Sequence, residues 1–135
     1  MQIQLRDLGI VTNDINKSRD FYTNQLGFEP VFVSDWYIHL KNGPVELGIM
    51  AGKPEMPAVP ANGVWVSFGV ANVDAEYNRL KTAGATLDSE PKDQPWGERC
   101  FIVRDPNGLG INLGTAIPVN EEFMREHNQL VDATR

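Results

Sequence analysis

Asp7-Leu8-Gly9-Ile10-Val11-Thr12-Asn13-Asp14 and Trp65-Val66-Ser67-Phe68-Gly69-Val70-Ala71-Asn72 are two versions of one pattern. Each is an alternating run that ends on a residue able to cap a helix, Asp14 or Asn72. Each leads into an amphipathic stretch stopped by a glycine, in Leu26-Gly27-Phe28 and in Ala83-Gly84-Ala85. Ile15, Ser18, Phe21, Tyr22 and Leu26 fall near one face of the first predicted helix. Val73, Tyr77 and Leu80 do so on the second. Both spacings are those of a stripe packed on a sheet.

Working outward, β material follows each helix. Val31–Val33 and Trp36–Leu40 read as strands around a Ser34-Asp35 turn, Asn42-Gly43 is a hairpin signal, and Val45–Met50 is the return strand. In the second half Thr86–Ser89 is a short strand and Arg99–Arg104 a longer one. Asp105-Pro106-Asn107-Gly108 is a turn, and Leu109–Gly114 returns. The chain is therefore an α+β domain of two β-α-β-β-β modules, over 1–50 and 64–116. Pro54, Pro57 and Pro60 mark a linker over 51–63. The remainder, 117–135, carries a predicted helix from Glu121 to Val131. Asn120 caps it, and Phe123, His127, Leu130 and Val131 form its stripe. One helix hides one face of a four-stranded sheet, so the other face must meet a twin sheet or a ligand.

The composition narrows the function. The chain has 135 residues, 41% hydrophobic and 22% charged, which is enough apolar material for a core without staples. A formal charge of -6 and the lack of any basic run exclude a nucleic-acid backbone binder. No apolar stretch approaches the ~20 residues of a membrane span. The start, Met1-Gln2-Ile3-Gln4-Leu5-Arg6-Asp7, lacks the layout of a signal peptide, so a cytoplasmic location is expected. A single cysteine, Cys100, has no partner for an intrachain disulfide and reads as a buried inert thiol.

Strand alternation sorts the side chains. Leu8 and Ile10, Leu47 and Ile49, Val66 and Phe68, and Ile111 and Leu113 share the apolar phase. The opposite phase carries Asp7, Gly9, Glu46, Gly48, Trp65, Ser67, Gly69, Gly110, Asn112 and Gly114. Small and polar residues thus share one face, and its glycines are expected to leave the empty space of a cleft. Tyr37 and His39 fall on that face as well, opposite Ile38 and Leu40.

These residues carry a resemblance. The strand ending Asn13-Asp14, Phe21-Tyr22 before Leu26-Gly27-Phe28, Val73-Asp74-Ala75-Glu76-Tyr77 and Arg104-Asp105-Pro106-Asn107-Gly108 resemble the glyoxalase / bleomycin resistance protein / dioxygenase superfamily, the vicinal oxygen chelate (VOC) proteins. The resemblance spans residues 3 to 116. It implies two βαβββ modules forming a curved sheet with a cleft, and a homodimer. Pro95-Trp96-Gly97 looks most like the bleomycin-resistance and small glyoxalase-like branches. In metal-dependent relatives four positions ligate the ion, and here they fall on Asp7, Glu46, Trp65 and Asn112. Indole N–H is only a donor and Asn112 is a weak neutral ligand. Two carboxylates remain, suited at most to a hard ion such as magnesium. No resident metal and no other cofactor are implied.

The candidate ligand-binding residues are Asp7, Glu46, Trp65, Asn112, Trp36, His39 and Trp96. Rigid indoles at a cavity suit planar organic ligands. Asp7 and Glu46 can attract a cationic group, share a proton, or pair with Arg99 or Arg104. His39 is either an acid–base group or a satisfied polar side chain of the sheet, and His127 reads as surface or packing. The leading expectation is a metal-independent binding protein of the antibiotic-resistance type, holding an aromatic or cationic molecule in a Trp-lined cleft. An alternative is a lyase, isomerase or dioxygenase whose catalytic candidates are Asp7, Glu46 and His39. A third is an interaction or regulatory module with no ligand.

Overall fold

The structure is a computed structural model and describes residues 1–130. These form two compact units, Met1–Gly63 with Asp105–Leu109, and Val64–Arg104 with the residues from Gly110 onward. The first is a β-α-β-β-β module, and the second has the same layout with one extra short strand.

In the first unit, β1 (Leu8–Thr12), β2 (Glu29–Val33), β3 (Tyr37–Asn42) and β4 (Val45–Ala51) make an open sheet in the order β1-β4-β3-β2. β1 runs parallel to β4, with Leu8 opposite Leu47 and Ile10 opposite Ile49. α1 (Ile15–Asp20) starts where the Asp14 carboxylate accepts the Lys17 amide at 3.0 Å. It then widens into a π-helical turn over Phe21–Gln25. That turn buries both Phe21 and Tyr22, neighbours that a regular helix would aim about 100° apart. Their rings meet edge-on at 5.0 Å, and Tyr22 meets Phe28 at 5.7 Å. Gly27 ends the segment at φ 73°, a conformation that costs a Cβ-bearing residue energy. Ile38, Leu40, Leu47 and Ile49 complete this core.

The second unit repeats the plan. β5 (Trp65–Gly69) runs parallel to β9 (Gly110–Ala116), next to β8 (Glu98–Arg104). β6 (Thr86–Leu87) and β7 (Lys92–Gln94) both pair with β8 on its far side. α2 (Val73–Thr82) is capped by Asn72, whose side chain accepts the Ala75 amide at 3.0 Å. Asp74 and Glu76 lie in its first turn and Arg79 and Lys81 in its last, which suits the helix dipole. Val73 and Leu80 are buried on the sheet, and Tyr77 meets Phe101 edge-on at 5.3 Å.

Several details differ from the sequence reading. β7 is an addition to the strands read from the sequence, a short strand between Pro91 and Pro95. β8 begins one residue earlier, at Glu98, and β6 is confined to Thr86–Leu87. Trp36 lies in a bend before β3, where its carbonyl accepts the Ala51 amide. α3 (Glu121–His127) is shorter than the predicted helix, ending where Asn128 turns extended. Leu130 is exposed. Val131, and the rest of the predicted module to 135, lie outside the described residues.

The expectation that the five glycines leave empty space is corrected at three positions. A Cβ on Gly48 would lie 3.0 Å from the Tyr37 hydroxyl, and one on Gly110 3.0 Å from the Arg104 guanidinium. One on Gly114 would lie 2.6 Å from the Glu98 carboxylate. Long side chains from neighbouring strands fold over these glycines. Only Gly9 and Gly69 of the five open onto free space.

Candidate functional site

The second unit holds a cavity of about 440 Å³ on the sheet face away from α2. The β5–β9 register sets Ser67 beside Asn112, and the β8–β9 register sets Asn112 beside Ile102. Trp65 and Ser67 of β5, Asn112 of β9, and Glu98, Cys100 and Ile102 of β8 supply its floor. Ser89, Gln94 and Trp96 supply its rim. Trp65 is 75% exposed and Trp96 52% exposed. An indole in water forfeits burial that is worth kilocalories when something covers it.

Glu98 is the centre of the polar contacts. Its Oε1 accepts the Trp96 indole N–H at 3.3 Å, and its Oε2 accepts the Asn112 amide at 3.0 Å. The Asn112 amide also reaches the Ser67 hydroxyl at 3.4 Å. Burial pushes the Cys100 thiol up to about 11, and a hydrogen bond to Glu98 adds to the shift. Cys100 is therefore a protonated thiol near neutral pH, with little nucleophilic character.

The two guanidiniums of β8 are bonded elsewhere. Arg99 donates to both oxygens of Asp74 at 2.8 and 3.0 Å and to Asp93 at 3.0 Å. Those bonds hold Asp74 below the usual carboxylate range. Arg104 donates to Asp88 at 2.6 and 2.9 Å. Both guanidiniums thus have acidic partners within the second unit.

Asp7, Glu46, His39 and Trp36 belong to the first unit. Glu46 Oε1 lies 2.9 Å from His39 Nε2 on the sheet face away from α1. Asp7 is exposed and precedes β1, one position before the Leu8–Leu47 pair. Trp36 is 61% exposed, 5.8 Å from the Tyr37 ring. The structure therefore gathers Trp65, Asn112 and Trp96 at one cavity of the second unit, while the other four candidates belong to the first unit.

The donor set does not fit the metal centre of metal-dependent relatives. Trp65 has no lone pair to give, and the Asn112 amide is turned to Glu98 and Ser67. Among the described residues, no three His, Cys, Asp or Glu side chains gather as a metal group would require.

A second cluster explains the Asp-Pro-Asn-Gly motif. In the first unit Asp105 is buried and accepts the Tyr22 hydroxyl at 2.8 Å and the Asn107 and Leu109 amides at 2.8 and 2.9 Å. Thr12 donates to the Asn107 side-chain carbonyl at 2.6 Å, Ser18 donates to Thr12 at 2.9 Å, and the Asn107 amide donates to Ser18 at 3.0 Å. These buried polar groups satisfy one another, so their role is to hold the turn.

With this geometry in view, residues 4–113 match the Glyoxalase/Bleomycin resistance protein/Dioxygenase superfamily. The chain belongs to that superfamily. Among its relatives in the superfamily, the Anthracycline biosynthesis protein DnrV of Streptomyces peucetius is 33% identical over 111 residues, covering 77% of this chain and 38% of that protein. An uncharacterized protein of Mycobacterium bovis, Mb0911c, is 38% identical over 79 residues, covering 57% of this chain and 51% of that protein. The chain thus spans only part of the length of these relatives. The crystal structure of UcmS2 shares 28% identity at a TM-score of 0.71, covering 86% of this chain and all of that one. TnmS3, an antibiotic binding protein from Streptomyces sp. CB03234, shares 27% identity at a TM-score of 0.68, covering 86% of this chain and 98% of that one.

Glu98 is a cavity-lining residue that the sequence reasoning missed. The sequence places the start of the strand at Arg99, one residue after Glu98. Extending the phase of Cys100 and Ile102 by two residues puts Glu98 on the cavity face, opposite α2.

Proposed function

We propose that this chain is a small-molecule binding protein that holds a planar aromatic compound in the Trp65–Trp96 cavity without a metal. The observation that carries the reading is the pair of exposed indoles at one cavity of about 440 Å³. That volume lies in the range of small-molecule sites, and flat rigid rings favour a flat ligand. Sequestration needs no nucleophile, in keeping with the protonated Cys100 thiol. The similarity to an antibiotic binding protein and to an anthracycline biosynthesis protein supports a polycyclic antibiotic or its precursor as the ligand class. A homodimer in the cytoplasm is part of this reading, on the resemblance alone.

Isothermal titration against an anthracycline and against simpler planar rings tests the proposal. Binding, with the compound recovered chemically unchanged, is the expected result. Failure of every planar compound to bind, or its conversion to a product, overturns the reading.

One observation favours a second reading. His39 and Glu46, 2.9 Å apart, form an acid–base pair on the first sheet, the kind of couple a lyase or isomerase uses to move a proton. Product formation that disappears in His39→Ala would favour the enzyme.

A further inference from the structure

We propose that Glu98 makes the Trp65–Trp96 cavity selective for aromatic ligands that carry a positively charged nitrogen. The inference rests on the binding reading above and names the charge that the ligand must bring.

Among the described residues, Glu98 is the one charged side chain lining the cavity, among walls of indole, hydroxyl, amide, thiol and apolar groups. The side-chain groups that donate to it, the Trp96 indole, the Asn112 amide and the Cys100 thiol, are neutral. They fix the direction of the carboxylate and leave its negative charge in place. The nearby guanidiniums are engaged with other acids: Arg99 with Asp74 and Asp93, and Arg104 with Asp88. Gly114 lets this happen. With no Cβ at that position, the Glu98 side chain lies flat over β9, in space that a Cβ would invade.

A negative charge beside exposed indole faces makes a site for a cation of a particular kind. The carboxylate attracts the charge, and the indoles attract both the charge and the flat ring that bears it. A neutral ring of the same shape gains the stacking and loses the ion pair, while still taking water from Glu98. An anionic ring meets repulsion as well. Asp7 and Glu46, the acidic residues proposed from the sequence to attract a cation, belong to the first unit, where Glu46 faces His39.

The test compares proflavine, a planar cation near neutral pH, with acridine, a neutral ring of the same outline, by isothermal titration. The wild type is expected to bind proflavine at least about tenfold more tightly. Raised salt is expected to weaken proflavine and leave acridine unchanged. In Glu98→Gln, which keeps the shape, the two affinities are expected to converge, chiefly through loss of proflavine binding. Equal binding of both dyes by the wild type, or a preference that survives in a folded Glu98→Gln, overturns the role of Glu98 and leaves the cavity reading standing. Binding of neither dye, nor of any larger planar compound, overturns the cavity reading itself. The wild-type dye pair and its salt dependence decide the matter even if the variant does not fold.

Discussion

The hydroxyl of Tyr22 donates to the Asp105 carboxylate at 2.8 Å, although the two residues stand 83 positions apart in the chain. Both are buried, so the bond joins the π-helical turn after α1 to the Asp105–Leu109 turn inside the first unit. Tyr22→Phe removes the donor and leaves a buried carboxylate with one bond fewer. It is expected to destabilise the protein by about 1–3 kcal/mol, read as a lower urea midpoint with an unchanged slope.

The same pair has a pH consequence. Burial, and then the charge of Asp105, hold the Tyr22 phenol well above its ordinary value of 10.0. The folded state therefore keeps the proton that the unfolded state gives up. The stabilisation is complete below about pH 10 and declines as the pH rises past the ordinary tyrosine range. Denaturation curves taken across alkaline pH are expected to converge for wild type and Tyr22→Phe.

Gly97 has φ 102°, and a Cβ there would lie 2.7 Å from Val119 Cγ1 and 3.1 Å from the Ile117 carbonyl oxygen. Gly97→Ala therefore meets both backbone strain and a clash. It is expected to cost about 1–3 kcal/mol or more and to disturb Trp96 and Glu98 on either side. Thermal unfolding checks the first effect, and indole fluorescence the second.

Cys100 provides a chemical readout of the cavity floor. Its thiol is pushed from 9.0 up to about 11 by burial and by Glu98. Iodoacetamide at mildly alkaline pH is expected to modify it far more slowly than a free cysteine. Glu98→Gln removes the carboxylate that opposes thiolate formation, so its labelling rate at the same pH is expected to rise.

The fold was legible because its devices are local. Asp14 and Asn72 cap their helices, Gly27 and Gly84 stop them, and the alternation of β1, β4, β5 and β9 assigns their faces. What was not legible depends on neighbours in space. Gly48, Gly110 and Gly114 look like gaps in the sequence, and Tyr37, Arg104 and Glu98 fill them from adjacent strands. The π-helical widening at Phe21–Gln25 falls inside a stripe that reads as ordinary helix, so the stripe places the buried aromatics without announcing the wider turn. Trp65, Trp96 and Asn112 were singled out for phase and ring chemistry. The carboxylate beside them escaped because a strand boundary was set one residue late.

The account stands most directly on a titration of a planar aromatic ligand into the wild type and into a Trp65→Ala/Trp96→Ala variant. Both indoles are exposed, so the variant is expected to keep its unfolding midpoint. The account predicts saturable binding to the wild type, a loss of about tenfold or more in the variant, and recovery of the ligand unchanged. Equal affinity in the two proteins, or conversion of the ligand, would contradict it.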